Sequence, residues 1–590
     1  MSVEQTSMNQ LITDNIDIWT STVKTKSASG RGSSKKRELY GVKKLRELIL
    51  ELAVRGKLVP QDSNDEPASV LLERIAEEKA QLVKEKKIRK PKPLSSIQEK
   101  EKTFDIPTGW SWTRIGLVTT FVNGFAFKSS SFQDSGVGIV KIGDISFTGE
   151  LTPQTMSRVD QSVVKDLDAS LRVNLGDMVI AMSGATTGKV GFSTTDEVFY
   201  LNQRVGKFIP HQIDLDYLFF PLTTKIAENL EKSLGSAIPN LSTVQINEIV
   251  VALPPLQEQK RIAAKVDELM ALCDQLEQQT EVIIEAHQVL VTTLLDTLIN
   301  SADADELMQN WARISEHFDT LFTTEESIDQ LKQTILQLAV MGKLVPQDPT
   351  DEPAAKLLER IAEEKAQLIK EKKIKKQKAL PPITDDEKPF ELPNGWEWCR
   401  TGEAGNIQLG RQRSPKDHSG PHMIPYLRVA NVHDNRIDTS DVKEMNFTPE
   451  EQTVYRLVYG DILLNEGQSK ELVGRPAMFK NEVVNACFQN TLLRFKAHNN
   501  ISSEYSLLYF RHCLYSGRFQ KAVKQTTNMA HLSAARLIPI EFPLPPAEEQ
   551  IKIVERVNQL SDMCDQLKQC LRDSQQTKFQ LTDAIVEQAV

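Results

Sequence analysis

PPLQEQKRIAAKVDELMALCDQLEQQ, residues 254 to 279, sets the plan of the chain, because it returns as PPAEEQIKIVERVNQLSDMCDQLKQC at residues 545 to 570. The block it opens, from Leu253 to Ile374, is echoed at both ends of the protein. Its later part, LQLAVMGKLVPQD from Leu336 through LLERIAEEKAQLIKEKKIKK, repeats LELAVRGKLVPQD from Leu50 through LLERIAEEKAQLVKEKKIRK. The order is therefore A, X, B, A, Y, B. Two similar helical frames flank two stretches that hardly resemble each other, so frame and content have varied separately.

In the first B repeat Ile262, Val266, Leu269, Cys273 and Leu276 are spaced alternately by four and three, as are Ile553, Val557, Leu560, Cys564 and Leu567 in the second. That is a heptad seam. The first seam continues through Thr280, Ile283, His287, Leu290 and Leu294. Unbroken, Leu256 to Asn300 makes a helix roughly 65 Å long. Two such seams are expected to pair with each other, with Thr280 and His287, and Ser574 and Lys578, setting the register. His287 reads as a seam residue, not a metal ligand.

In the A repeat, Leu45, Leu48, Ile49, Leu52 and Ala53 recur at helical spacing and Gly56 supplies a stop. Pro67 opens a second helix, which carries Leu71, Leu72, Ile75, Leu82 and Ile88 on one side and runs into the basic stretch Lys84 to Lys92. Positive charge there complements the helix dipole, so a solvated end is expected; a DNA-backbone contact is the sharper reading, since Lys370 to Lys378 repeats the run. FDIPTGWSWTRIG then matches FELPNGWEWCRTG, with Pro107, Gly109, Trp110 and Trp112 answering Pro393, Gly395, Trp396 and Trp398. A proline, a glycine and two tryptophans so spaced predict a turn entering a strand, with the rings packed as an anchor.

X is rich in short strand-like segments (GIVKIGDI, DMVIAM, KVGFS, VFYLNQRVGKFI), and Y has its own (MIPYLRVANV, GDILLNEG, ELVGRPAMF, ACFQNTLLRF). The fold class expected is α+β: two mixed α/β domains joined by two long antiparallel coiled-coil-like helices in a pseudo-twofold repeat. The expected divisions are an N-terminal extension or linker 1–40, a helical repeat 41–104, a first variable domain 105–253, a long helix 254–300, a connector 301–325, a second helical repeat 326–389, a second variable domain 390–544 and a long helix 545–590. Within the extension, Leu11, Ile12, Ile16 and Trp19 form an amphipathic stretch, and KTKSASGRGSSKKR reads as a flexible basic linker.

At 590 residues the chain exceeds one core. No apolar run approaches the roughly 18 residues that span a bilayer, and the polar start MSVEQTSMNQ is unlike a signal peptide. A cytoplasmic location is expected, and the six cysteines form no CxxC pair. Net charge is −9; Asp105 to Val250 carries 11 basic against 15 acidic residues, and Glu391 to Leu544 carries 18 against 16. Neither domain is a general polyanion binder. If they touch DNA they do so through local patches, with affinity added by a partner.

Catalytic motifs are missing from the pattern. GATTGKV at Gly184 to Val190 has three residues between its glycine and GK, where a phosphate loop has four, and Val190 follows the lysine. No GxGxxG opens a βαβ unit, and no NPPY or DPPY string occurs. His418 and His422 are four apart with SGP between them, so no metal site is expected. What the loops do offer is polar recognition chemistry: Arg for guanine edges, Asn and Gln for adenine, Lys, Ser and Thr for phosphates. The DNA-binding candidates of X are Asn123, Lys128, Ser129, Ser183, Thr186, Thr187, Lys189, Asn202, Gln203 and Arg204. Those of Y are Arg411, Gln412, Arg413, Lys416, Arg428, Asn431, Gln468, Ser469, Lys470, Gln489, Asn490, Asn528 and His531.

The stretches GDMVIAMSGATTGKV and LNQRVGKF in X, LGRQRSPK, PYLRVANV, GDILLNEGQSKELVGRPAMF and CFQNTLLRF in Y, and the PPLQEQ and PPAEEQ helix starts resemble the specificity subunits of type I restriction-modification systems. The resemblance covers the chain from about residue 40. It implies a non-catalytic chain whose two target-recognition domains each read half of a split double-stranded DNA site. The helices act as a ruler and as the platform for two modification (methyltransferase) subunits, and changing their length is expected to change the spacer. S-adenosylmethionine belongs, on this resemblance, to those subunits, and ATP and Mg to restriction (motor-nuclease) subunits; no cofactor is expected in this chain, and no membrane contact. The alternative is a coiled-coil scaffold with two protein-binding domains.

Overall fold

The computed structural model describes residues 8–26, 36–146, 148–184, 187–232, 240–302, 304–371, 380–526 and 529–590. Six helices carry the frame: α1 (Tyr40–Val54), α2 (Ala68–Lys84), α3 (Leu256–Ile299), α4 (Glu325–Val340), α5 (Ala354–Lys370) and α6 (Ala547–Ala589). The chain divides into two units, residues 1–282 with 575–590, and residues 283–574. The helix α3 starts in the first unit and ends in the second, and α6 does the reverse.

The A repeat folds as its pattern dictates. Leu45, Leu48, Ile49 and Leu52 are buried on one face of α1, and Leu331, Ile335 and Leu338 on the matching face of α4. Gly56 has φ +70° and Gly342 φ +70°. The N–H of Lys57 donates to the Leu52 carbonyl at 2.9 Å, and that of Lys343 to Leu338 at 2.9 Å, the six-to-one bond that closes a helix end. A Cβ on Gly56 would lie 2.5 Å from Pro107 Cγ, and one on Gly342 would lie 2.4 Å from Pro393 Cγ. The glycine stop and the proline of the tryptophan turn are thus one packed joint.

The seams are buried, but their first partners are the A-repeat helices of their own units. In the first unit Arg46 of α1 reaches Asp274 at 2.6 Å and Glu277 at 3.0 Å on α3. In the second, Lys332 of α4 pairs with Asp565 of α6 at 2.5 Å, and Ile553, Val557, Leu560 and Cys564 share a core with Ile328, Leu331 and Ile335. The seam also changes phase. Ile262, Val266, Leu269, Cys273, Leu276 and Thr280 are buried, yet Ile283 is 66 % and Leu290 50 % exposed, and Val291, Leu295 and Leu298 go inside instead. In α6 the same skip leaves Leu581 exposed and buries Thr582. A straight helix drifts by about 20° per heptad against a strict 3.5 repeat, so the buried face steps forward where heptad counting holds it fixed. His287 consequently leaves the seam, and its Nε2 lies 3.0 Å from the Thr320 carbonyl. The outward apolar residues have a further effect: by length and composition alone, α3 holds a stretch apolar enough to cross a membrane, which corrects the expectation that the chain has none.

The N-terminal extension is folded where it is described. Trp19 is fully buried, Thr22 Oγ1 lies 3.3 Å from Thr582 Oγ1, and Val23–Lys26 pairs antiparallel with Lys36–Leu39. The ends of the expected flexible linker are therefore strands of a hairpin; residues 27–35 lie outside the described residues. The connector forms a helix, Ala304–Glu316, that buries Ile314 in the second unit.

In the first unit the variable domain enters on β1 (Ser111–Arg114) and continues through β2 (Thr119–Asn123), β3 (Met178–Ala181), β4 (Val190–Phe192), β5 (Val205–Pro210) and β6 (Val250–Leu253). Its main sheet is antiparallel in the order β4-β3-β5-β2, and entry and exit strands β1 and β6 pair with each other. In the second unit the strands are β7 (Glu397–Arg400), β8 (Gly405–Leu409), β9 (Ile462–Asn465), β10 (Pro476–Met478), β11 (Leu492–Ala497) and β12 (Glu541–Leu544). The sheet order is β10-β9-β11-β8, with β7 on β12. Each domain adds one parallel pair, Val137–Val140 with Phe199–Leu201 and Met423–Leu427 with Cys487–Phe488. X and Y, which hardly resemble each other in sequence, are one fold twice.

The tryptophan turns anchor as expected: Trp110 and Trp396 are each 6 % exposed, and Trp396 Nε1 donates to Glu549 Oε2 at 2.9 Å. A second joint was not foreseen. Lys79 of α2, buried, donates to the carbonyls of Gly116, Leu117 and Thr119 at 2.8, 3.2 and 2.9 Å. Burial pulls its ammonium down to about 8. Lys365 of α5 does the same toward Gly402 and Glu403, at 3.4 and 3.2 Å.

Candidate nucleic-acid interface

Strand register brings the polar loops of each domain to one end of its main sheet. In the first unit Asn123 at the end of β2 lies opposite Gly206, while Val205 at the start of β5 lies opposite Ala181, the last residue of β3. The loops leaving Asn123, Ala181 and Leu201 therefore converge. In the second, Leu409 opposes Leu493 and Asn465 opposes Leu492, so the loops after β8 and β9 and before β11 meet in the same way. An isolated parallel bridge ties two of the loops in each case, Phe125 with Asn202 and Arg411 with Gln489.

An ion pair with at least one buried member braces each sheet. Lys207 on β5 meets Asp177 at 3.0 Å, and Arg494 on β11 meets Asp461 at 3.6 Å. Asp177 and Asp461 are the aspartates of the two GD steps that open β3 and β9. Burial raises the Asp461 carboxyl and lowers the Arg494 guanidinium from their ordinary ranges, so the pair is held by the fold against its own desolvation.

Among the first unit's candidates, Asn123, Lys128, Ser129, Gln203 and Arg204 are exposed at the converging end, with Asn202, Ser183 and Lys189 half-buried beside them. Thr187 is 6 % exposed and donates to the Gly184 carbonyl at 2.6 Å. It bonds back to Gly184 before β4 and is not a surface reader. Thr186 lies outside the described residues.

In the second unit Gln412, Arg413, Lys416 and Lys470 are exposed, and Gln468, Ser469, Gln489, Asn490 and His531 half-buried. Asn528 lies outside the described residues. Three candidates have other work. Arg411 is clamped by Asp417 at 3.1 Å and Glu451 at 2.7 Å over the Phe447 ring. Asn431, 2 % exposed, donates to the carbonyls of Asp438 and Asp441. Arg428 pairs with Asp441. A guanidinium held by carboxylates does not present its fork to guanine, nor does an amide spent on two carbonyls read adenine, so these three shape loops. Arg413 Nε donates to His418 Nε2 at 2.9 Å, and His531 Nδ1 lies 3.3 Å from Glu466, which orients both side chains.

Sequence reasoning missed one contributor in each domain. Thr243 Oγ1 donates to Asn123 Oδ1 at 2.9 Å, and Leu241 N–H to the Met182 carbonyl at 2.8 Å, bringing 240–243 to the same sheet end. In the second unit Gly467–Gln468, Met529–His531 and Lys524–Thr526 form a three-stranded sheet, which brings the 524–526 strand beside the loop after β9. The signal was the shared LS step, Leu241-Ser242 and Leu532-Ser533, each followed by a PLPP-type exit. Among the described residues, no group of three or more His, Cys, Asp or Glu is placed to hold a metal ion.

This geometry defines a class: a duplicated, loop-bearing sheet domain on a repeated helical frame, with Asn, Gln, Arg and Lys gathered at one sheet end. Residues 107–286 and 393–574 match the type I restriction modification DNA specificity domain. The chain is 40 % identical over 603 residues to the type I restriction enzyme EcoEI specificity subunit of Escherichia coli, covering 99 % of this chain and 100 % of that one. Against the EcoAI specificity subunit of the same organism it is 40 % identical over 601 residues, with the same coverage. A crystal structure of the HsdS subunit from Thermoanaerobacter tengcongensis aligns with 82 % of this chain and 98 % of its own at 17 % identity and a TM-score of 0.42. The chain belongs to the family of type I restriction-modification specificity subunits.

Proposed function

We propose that each variable domain reads one half of an asymmetric bipartite double-stranded DNA site, and that the repeated helices set the spacer and dock two modification subunits. The single observation that carries this reading is the sameness of the two sheets set against the difference of their loops. One scaffold bearing Asn123, Gln203 and Arg204 in one copy and Gln412, Arg413, Lys416 and Lys470 in the other suits two unlike half-sites. The chain supplies recognition and no chemistry. Adenine methylation with S-adenosylmethionine falls to the modification subunits, and ATP- and Mg-dependent translocation and cleavage to restriction subunits, all in the cytoplasm.

The test is selection from a randomised DNA pool by the chain assembled with its modification subunits. The expected product is one motif with two defined, unlike halves and an unread spacer of fixed length. A pool without enrichment, or a continuous motif, overturns the reading.

A further inference from the structure

The two sheet ends can be matched residue for residue, because the same main-chain bonds hold the same turn in each. The N–H of Gly124 donates to the Val205 carbonyl at 3.0 Å, and that of Gly410 to the Leu492 carbonyl at 3.1 Å. Asn202 N–H donates to Val140 at 3.1 Å, and Gln489 N–H to Leu427 at 3.0 Å. The turns close with Val205 N–H on the Asn202 carbonyl at 2.8 Å and Leu492 N–H on the Gln489 carbonyl at 2.9 Å. A Cβ on Gly124 would lie 1.9 Å from the Asn202 carbonyl oxygen, and one on Gly410 would lie 2.2 Å from that of Gln489, so both crossings need glycine. Asn202-Gln203-Arg204 is therefore the counterpart of Gln489-Asn490-Thr491.

Around this turn the matched side chains differ. Asn123 answers Leu409, Phe125 answers Arg411, and Arg204 answers Thr491. Ser183 faces Asn240 where Gly467 faces His531. What survives is a pair of carboxamides, Asn then Gln in the first unit and Gln then Asn in the second. Main-chain bonds hold the turn, so it does not need these side chains. Gln203 is exposed and the other three are half-buried, and among the described residues none of the four side-chain amides has a hydrogen-bond partner. Other loop amides are spent: Asn123 accepts from Thr243, and Asn431 donates to two carbonyls. A carboxamide sets one donor beside one acceptor, which matches N7 and the N6 amino group of adenine in the major groove. Toward a phosphate only its N–H groups help, and its carbonyl oxygen is repelled. The cations that suit phosphate are not kept, since Lys128 and Arg204 have Ser414 and Thr491 in their places.

We infer that the paired carboxamides, Asn202 with Gln203 and Gln489 with Asn490, read the adenine that each half-site offers for methylation, gripping its edge while it is still stacked. The inference rests on the reading of the variable domains as DNA readers and separates two parts within each. One part, the amide pair, is common to both domains and recognises the base common to both halves. The other part, the side chains that differ around it, recognises what makes the halves unlike.

The experiment is selection from a randomised DNA pool by the full chain assembled with its modification subunits, after the wild-type motif and its methylated adenines have been mapped. Asn202→Leu with Gln203→Met nearly keeps the shape of both side chains and removes their donors and acceptors. Preference for adenine at the methylated position of one half is expected to fall at least about tenfold, with the rest of that half and the whole of the other unchanged. Gln489→Met with Asn490→Leu is expected to do the same in the other half alone. Unchanged melting temperatures show that the variants fold. A folded variant that binds all sequences more weakly and keeps its preference for adenine has lost a phosphate contact, which overturns the inference. Relaxation at a different base also overturns it. A wild-type chain that selects no bipartite motif overturns instead the reading on which the inference rests.

Discussion

Arg411 and Asn431 show why a residue's type on a loop is an incomplete guide to its work. Both have the chemistry that reads bases, but the fold brings Asp417 and Glu451 to the first and two carbonyls to the second. Those partners are up to 40 positions away in sequence, and no local pattern announces them. That Gln203 and Arg204 sit exposed on a loop was legible, because LNQRV places polar residues directly between two apolar strands. Two half-buried histidines give the second unit a property of its own. Burial lowers His498 and His512 to about 4, with Lys365 adding to the effect at His498. Unfolded histidine titrates near 6.5, so between about pH 6.5 and 4 the unfolded chain binds more protons than the folded one. Stability is full above that interval and falls as the pH drops through it, on the order of 1–2 kcal/mol per histidine at pH 5. Urea titration of the full chain at pH 7 and pH 5 is expected to show the transition reported by Trp396 and Trp398 moving to lower urea, and moving less in His512→Gln. An equal acid shift in that variant contradicts the assignment.

At the scale of elements, the frame was readable and the variable domains only in part. Helical periodicity is local, and the Gly56 and Gly342 stops lie within a turn of the helices they close. Sheet order depends on pairs such as Leu409 with Leu493, set by contacts across the whole domain, so the common fold of X and Y was hidden beneath unlike sequences. The phase step in α3 was missed for a different reason. Heptad counting holds a seam that a straight helix abandons, and Ile283 and Leu290 pay that difference by facing solvent. Lysines 79 and 365 join each frame to its domain by capturing carbonyls. Lys79→Met leaves three carbonyls, two of them in buried bonds, without their donor and is expected to cost about 2–3 kcal/mol in the first unit. Lys365→Met, which breaks two longer bonds, costs less. Thermal unfolding of both variants checks the order, and a Lys79→Met protein as stable as the wild type contradicts it.

For the whole molecule, what matters is that scaffold and reader are separable. Each unit owns its pair of A-repeat helices, its paired entry and exit strands, its braced sheet and a set of loops at one sheet end, while α3 and α6 run from one unit into the other. Side chains that act on the frame, such as Trp396 on Glu549 or Lys79 on main-chain carbonyls, make no use of the loops that differ. Changing the loops of one unit should therefore change half of what is read. The most direct measurement is methylome sequencing of a host carrying the complete system, once with the wild-type chain and once with Gln203→Ala and Arg204→Ala. The account predicts an asymmetric bipartite methylated motif in the first case, and in the second a motif relaxed in one half, with the other half and the spacer unchanged. Relaxation of both halves, or a motif with no unread spacer, would contradict it.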